Sequence, residues 1–279
     1  MREQLHAQLA YLRLRGMAAV LDAELDQAER EAIPAATVVA RLLAAEIAAQ
    51  REKSLAARLS RAKLPWNWTL DTFPYHQQPS VDRAQIRALA SLDFLQRKEN
   101  LLLIGPTGTG KSGLAIGLLR QACLNGYRGR FYKAQTLLDE LYASLADRST
   151  TRLLRQLARY QPLLCDELGY LNLKPEQTNA FFRLLDERYG RVSTILTTNL
   201  EPTDWYPLFN NKPLVDALLD RLQHHCITLR INGPSLRAPA PPTPPPAAAS
   251  TAARRRPTAA KPPAAPASPP RATTLPKTP

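Results

Sequence analysis

The sequence predicts an α/β fold: a parallel sheet flanked by helices, with a helical region before it and a disordered tail after it. Three observations predict it. The stretch Gly105-Pro106-Thr107-Gly108-Thr109-Gly110-Lys111-Ser112 fits G-x-x-x-x-G-K-[ST]. It lies between Leu101-Leu102-Leu103-Ile104, an apolar run that reads as a buried strand, and residues 113–124, which place Leu114, Leu118 and Leu119 on one helical face. Some 55 residues after Lys111, a second apolar run, Pro162-Leu163-Leu164-Cys165, ends abruptly in Asp166-Glu167.

Each of these stretches implies chemistry. Glycines at 105, 108 and 110 let the backbone approach a ligand closely. Consecutive N–H groups can then curl around an anion at the positive end of a helix dipole. Lys111 adds a mobile charge for β- and γ-phosphates, and the Ser112 hydroxyl is placed to ligate Mg²⁺. A buried strand delivering carboxylates at its C-terminal end is where an open α/β sheet puts ligand chemistry. Asp166 can hold the water shell of Mg²⁺, which leaves Glu167 to deprotonate a water for attack on the γ-phosphate. Residues 192–198 form a β-branched run ending in Thr197-Thr198-Asn199. Asn199 at that tip is either a turn former or an amide for the γ-phosphate and the attacking water.

The remaining elements follow in order. Residues 1–63 are helical: Leu5, Leu9 and Leu12 share a face that Met17, Val20, Leu21 and Leu25 continue past Gly16, and 35–63 form a second, longer stretch. Arg51, Lys53, Arg58, Arg61 and Lys63 crowd its end, as a solvated helix terminus or as a DNA contact. Residues 64–79 read as a linker with Trp66, Trp68, Phe73 and Tyr75, aromatics that pack on the next domain, wall an adenine or stack on DNA bases. Ser80 caps a helix to about Leu95. Strands are expected at 128–132 and 226–231 and helices at 136–146, 151–160, 176–189 and 214–225. Arg152, Arg155 and Arg159 fall on one face of the second of these helices. Arg221 either pairs locally with Asp220 or Asp216 or enters a neighbouring subunit's nucleotide as an arginine finger. His224 and His225, adjacent on a helix, point apart and do not suit a metal. Residues 238–279, rich in Pro and Ala, cannot bury a core.

Composition narrows the partners. The formal net charge is +13, and subtracting the six cations of the tail leaves +7, a balance that suits nucleic acid. No apolar run approaches the roughly 20 residues of a spanning helix. Glu3, Asp22, Glu24 and Asp26 make the N-terminus too acidic for a signal or transit peptide. Cys123, Cys165 and Cys226 form no C-x-x-C pair and read as buried thiols of a cytosolic protein.

With the P-loop, Asp166-Glu167-Leu168-Gly169-Tyr170-Leu171, Thr197-Thr198-Asn199-Leu200 and Asp220-Arg221-Leu222-Gln223-His224-His225 in order, the chain resembles the IstB-like ATPases over residues 1–237. Leu14-Arg15-Gly16-Met17, Ala62-Lys63-Leu64-Pro65 and Gln78-Pro79-Ser80-Val81-Asp82 add to the resemblance. These are transposition helpers of bacterial insertion sequences in the AAA+ group, related to DnaC-type helicase loaders and more remotely to DnaA. The resemblance implies a five-stranded parallel AAA+ sheet with the P-loop at its centre, in an ATPase domain at 80–237. It implies ATP and Mg²⁺ as ligands, homo-oligomerisation on double-stranded DNA through a helical region at 1–63, a partner transposase, and a bacterial cytoplasmic, nucleoid-associated location. Carried over, Gly105 to Ser112 is Walker A, Asp166-Glu167 Walker B and Asn199 sensor 1. Arg221 falls on the candidate finger and Arg237 on a candidate sensor 2. The sequence departs from the family pattern at Cys165, at Asn210-Asn211-Lys212-Pro213, and around Gly233-Pro234 and Leu236.

A helicase loader is the alternative on the same fold. A small-molecule kinase is disfavoured because Glu167 beside Asp166 would admit water to the γ-phosphate. Intact Lys111, Asp166 and Glu167 argue against a non-hydrolysing DNA-binding module.

Overall fold

Short runs of apolar and β-branched residues supply five parallel strands, and helices bury both faces of the sheet they form. The computed structural model describes residues 1–237 apart from 170 and 172. Tyr170 and the tail from 238 lie outside the described residues.

Three helices open the chain: α1 (Arg2–Tyr11), α2 (Arg15–Glu31) and α3 (Ala35–Ala62). The expected continuous stripe from Leu5 past Gly16 breaks at 12–14, where Leu12 is exposed and Arg13 has φ of +60°. α2 has no side-chain cap of its own. Instead Glu46 of α3 accepts hydrogen bonds from the N–H of Gly16 (2.7 Å) and Met17 (3.1 Å). Gly16 is required there, because a Cβ would lie 2.7 Å from the Ala45 carbonyl oxygen. Leu21, Val38 and Leu42 bury the seam between α2 and α3, each contributing about 2 kcal/mol.

The next helices are α4 (Arg83–Ala90) and α5 (Asp93–Gln96). The cap is Asp82, whose carboxylate accepts from the N–H of Ala84 at 2.8 Å, and not Ser80, whose hydroxyl accepts from the N–H of Asn232. The single helix expected to Leu95 is interrupted at Leu92, which has φ of +67°.

Then follow β1 (Asn100–Ile104), α6 (Lys111–Leu124), β2 (Arg130–Lys133), α7 (Ala134–Ala146), α8 (Thr150–Leu157), β3 (Leu163–Leu168), α9 (Pro175–Arg188), β4 (Thr194–Thr198), α10 (Trp205–Phe209), α11 (Lys212–His224) and β5 (Cys226–Arg230). Arg159 therefore falls beyond the end of α8.

The strand order is β2-β3-β4-β1-β5. β1 is internal, but the middle strand is β4, so the P-loop does not lead off the centre of the sheet. One core layer packs α7, α8, α9 and Trp205 of α10 on one face. The other packs α4, α5 and α6. Phe73 is buried in this second layer and Leu70 lies against Gly117, so residues 64–75 are strapped to α6 and do not span a gap. Cys123 and Cys165 are buried, and Cys226 is partly buried. No helix among the described residues is long and apolar enough to cross a membrane.

Candidate nucleotide site

The loop after β1 turns through Gly108 (φ +86°) and Gly110 (φ +93°), where side chains would be strained. There is also no room for them. A Cβ on Gly108 would fall 2.1 Å from the Ser235 hydroxyl, and one on Gly110 would fall 2.6 Å from the Phe73 ring. The Leu236 N–H donates to the Gly108 carbonyl at 2.8 Å. The loop is thus clasped from outside by the strap before the ATPase core and by the segment after β5. Inside it, the Thr109 hydroxyl (2.9 Å) and the Lys111 ammonium (2.7 Å) both donate to the Pro106 carbonyl. Burial pulls the Lys111 ammonium below its ordinary value; Asp166 and Glu167 oppose this and Arg237 adds to it.

Parallel pairing of β3 between β2 and β4 brings the two acids to the same edge. The Asp166 carboxylate is buried and accepts from the Ser112 hydroxyl at 2.7 Å and from the Thr197 hydroxyl. Burial raises its pKa, and these two hydrogen bonds oppose the rise. The same Thr197 oxygen accepts the Glu167 N–H at 3.0 Å. The β3–β4 register shifts between Cys165 and Leu168, and Glu167 takes a left-handed φ of +64° within that bulge. Its half-exposed carboxylate lies 3.3 Å from the Lys133 ammonium at the end of β2.

These groups surround a cavity of about 370 Å³, a size that suits a small ligand. Its walls include Thr107, Lys111, Ser112, Glu167, Thr197, Asn199 and Arg237, with Trp66 and Trp68. Trp68 rests on the first turn of α6, where a Cβ on Gly113 would lie 2.9 Å from its ring. Phe73 is core, and the two tryptophans face the cavity. Asn199 reaches in beside Gly169, where a Cβ would lie 2.4 Å from its Oδ1.

The residues fit a nucleoside triphosphate with Mg²⁺. Ser112 and Asp166 present adjacent hard oxygen ligands at the end of a glycine loop that carries an ammonium. Bound there, Mg²⁺ would neutralise phosphate charge. The chain's own part would be for Lys111 to leave the Pro106 carbonyl for the phosphates, and for Glu167 to leave Lys133 for a water.

Other predicted residues lie elsewhere. Arg221 does not line the cavity; it pairs with Asp186 at 2.8 Å and lies over the Tyr189 ring. Neither expected local partner holds it, because Asp216 accepts from the Tyr206 hydroxyl and Asp220 faces His224. His225 meets Tyr189 edge-on. Arg51, Lys53, Arg61 and Lys63 are exposed. Arg58 is not available in the same way, since its Nε donates to the Cys123 carbonyl at 2.9 Å and ties α3 to α6. Sequence reasoning missed Lys133, which belongs to no motif. It quoted Thr197 without assigning its hydroxyl, though strand alternation alone puts 197 and 199 on one face.

The strand order and the loop–helix site define a P-loop fold of the AAA+ type. The fold is shared with a crystal structure of the DnaC helicase loader (TM-score 0.51, 24% identity, 61% of this chain and 99% of that one) and with one of DnaI (TM-score 0.50, 18% identity, 59% and 91%). The family described as IstB-like ATP binding protein matches residues 7–240, and the chain belongs to it. Similar relatives include an insertion sequence IS21 putative ATP-binding protein of Pseudomonas aeruginosa, 36% identical over 84% of this chain and 88% of the relative. Another is the IS5376 putative ATP-binding protein of Geobacillus stearothermophilus, 35% identical over 85% and 94%.

Proposed function

We propose that this chain is an ATP-hydrolysing helper of insertion-sequence transposition in the bacterial cytoplasm. It binds ATP with Mg²⁺, assembles with its own copies on double-stranded DNA and presents that DNA to a partner transposase. The observation that carries the reading is the cluster Ser112–Asp166–Thr197, with Lys111 and Glu167 lining the same cavity. Lys111 and the loop amides hold the phosphates, Ser112 and Asp166 hold Mg²⁺, the latter through water, and Glu167 is the base for the attacking water. Asn199 orients that water, Arg237 contacts the phosphates from the segment that clasps the loop, and the two tryptophans flank the base. Arg221 serves a neighbouring subunit's nucleotide after leaving Asp186. The net charge of +13 supports a polyanionic partner. The relatives' names support an insertion-sequence client, and the likeness to a helicase loader bears on the fold alone.

Electron microscopy of the full chain with duplex DNA and a slowly hydrolysed ATP analogue tests this reading. Ordered assemblies are expected with the analogue and not without nucleotide, and Lys111→Ala should abolish them. Isolated protomers under all conditions would refute assembly. Capture of a replicative helicase, with no binding of a transposase of an insertion sequence, would reassign the client.

A further inference from the structure

At the edge of the sheet opposite the cavity, three segments distant in sequence come together. α6 leaves the site at Lys111 and ends at Leu124, about 21 Å away at 1.5 Å per residue. There the Cys123 carbonyl accepts from Arg58 of α3 at 2.9 Å. Arg130, the first residue of β2, donates to the Arg61 carbonyl at 2.8 Å. The Arg128 carbonyl accepts the Gln161 N–H at 2.9 Å. The end of α3 and the connections before β2 and β3 thus meet in one surface. Over residues 58–63, 128–130 and 159–161 it carries six arginines and lysines and no acid, where the whole chain has 37 against 24.

These cations divide into two kinds. Arg58 and Arg130 are struts. Arg130 lies between the Tyr132 and Tyr160 rings (5.1 and 5.9 Å), and its Nε is buried with no hydrogen-bond partner. Arg61, Lys63, Arg128 and Arg159 are exposed and make no ion pair among the described residues. Apart from Leu124, the exposed positions between them, such as Ser60, Asn125 and Gly126, are polar or small, unlike the apolar centre of a protein interface. Uncompensated like charges spread over a broad polar surface are relieved by a phosphate backbone.

We infer that this composite edge is the duplex-contacting surface, with Arg61 and Lys63 of the helical region and Arg128 and Arg159 of the ATPase sheet on the same phosphate backbone. The inference rests on the DNA-binding function proposed above and adds where the duplex lies. DNA and nucleotide then occupy opposite ends of α6, so both bind at once, and both parts of the chain grip one duplex.

The test is fluorescence anisotropy of a labelled duplex with the full chain over a range of salt concentrations, comparing wild type with Lys63→Ala/Arg128→Ala/Arg159→Ala. All three side chains are exposed, and their removal leaves the backbone bonds in place. The triple variant should bind at least tenfold more weakly at moderate salt. The slope of log K against log salt should be shallower by about 0.9 per lost contact. Binding of a fluorescent ADP should be unchanged. Wild-type affinity and slope in the variant would overturn the inference while leaving the function standing. A wild type that binds no DNA would remove both, and weakening confined to single strands would overturn the assignment of a duplex.

Discussion

The Lys133 ammonium and the Glu167 carboxylate are 3.3 Å apart at the ends of neighbouring parallel strands, and the pair is about half exposed. It holds the proposed base toward β2. An exposed pair of this kind is worth at most about 1 kcal/mol, so the hold is weak enough to be released during turnover. Lys133→Ala should raise DNA-free ATP hydrolysis roughly 2- to 5-fold, the rate equivalent of that energy. Steady-state phosphate release checks it, and an unchanged or lower rate would show that the pair does not restrain the base.

Thr197 donates to Asp166 and accepts from the Glu167 backbone with a single hydroxyl. Thr197→Val keeps the shape and removes both bonds in a buried site. Urea unfolding should show a loss of about 1–3 kcal/mol. ATP turnover should fall more than tenfold, and Thr197→Ser should restore it.

Trp66 and Trp68 line the cavity, whereas Trp205 is fully buried in the opposite core layer. Adenine nucleotide binding should therefore change tryptophan fluorescence. Trp68→Ala should remove most of that change and weaken ADP binding about 3- to 10-fold, the scale of one aromatic contact. Full retention of the signal in that variant would place the base elsewhere.

Glu46 ties α3 to the start of α2. Burial works to raise its pKa, but the N–H of Met17, the Gln50 amide and the N–H of Gly16 more than offset this and hold the carboxyl below its ordinary value of 4.5. A depressed carboxylate contributes stability that is complete above the unfolded value and is lost as pH falls through the folded one. Limited proteolysis within 12–35 should accelerate below about pH 4.5 in the wild type. Glu46→Gln should be cleaved faster at neutral pH and should lack that part of the acid response.

Local chemistry made much of the site legible. The glycine pattern, the lysine and the strand ending in two acids are short-range signals, and each sits on the strand tip or helix start that the periodicity indicated. Asn199 was legible for the same reason. Contacts between distant segments were not. Nothing in the local sequence says that Phe73 and Leu236 clasp the loop, that Arg221 prefers Asp186 to its helical neighbours, or that Lys133 stands beside Glu167. The helix break at Leu92 was hidden because a leucine, not a glycine, takes the left-handed conformation there. Ser80 and Asp82 are both good caps, and only packing against Asn232 separates their roles.

ATP turnover with and without duplex DNA, measured on the wild type, Lys111→Ala and Glu167→Gln, bears most directly on the proposed chemistry. Turnover should be stimulated by DNA in the wild type. Lys111→Ala should lose nucleotide binding, and Glu167→Gln should bind ATP with little loss and hydrolyse it at least 100-fold more slowly. Wild-type turnover in Glu167→Gln, or a wild type that binds no ATP, would contradict the proposal.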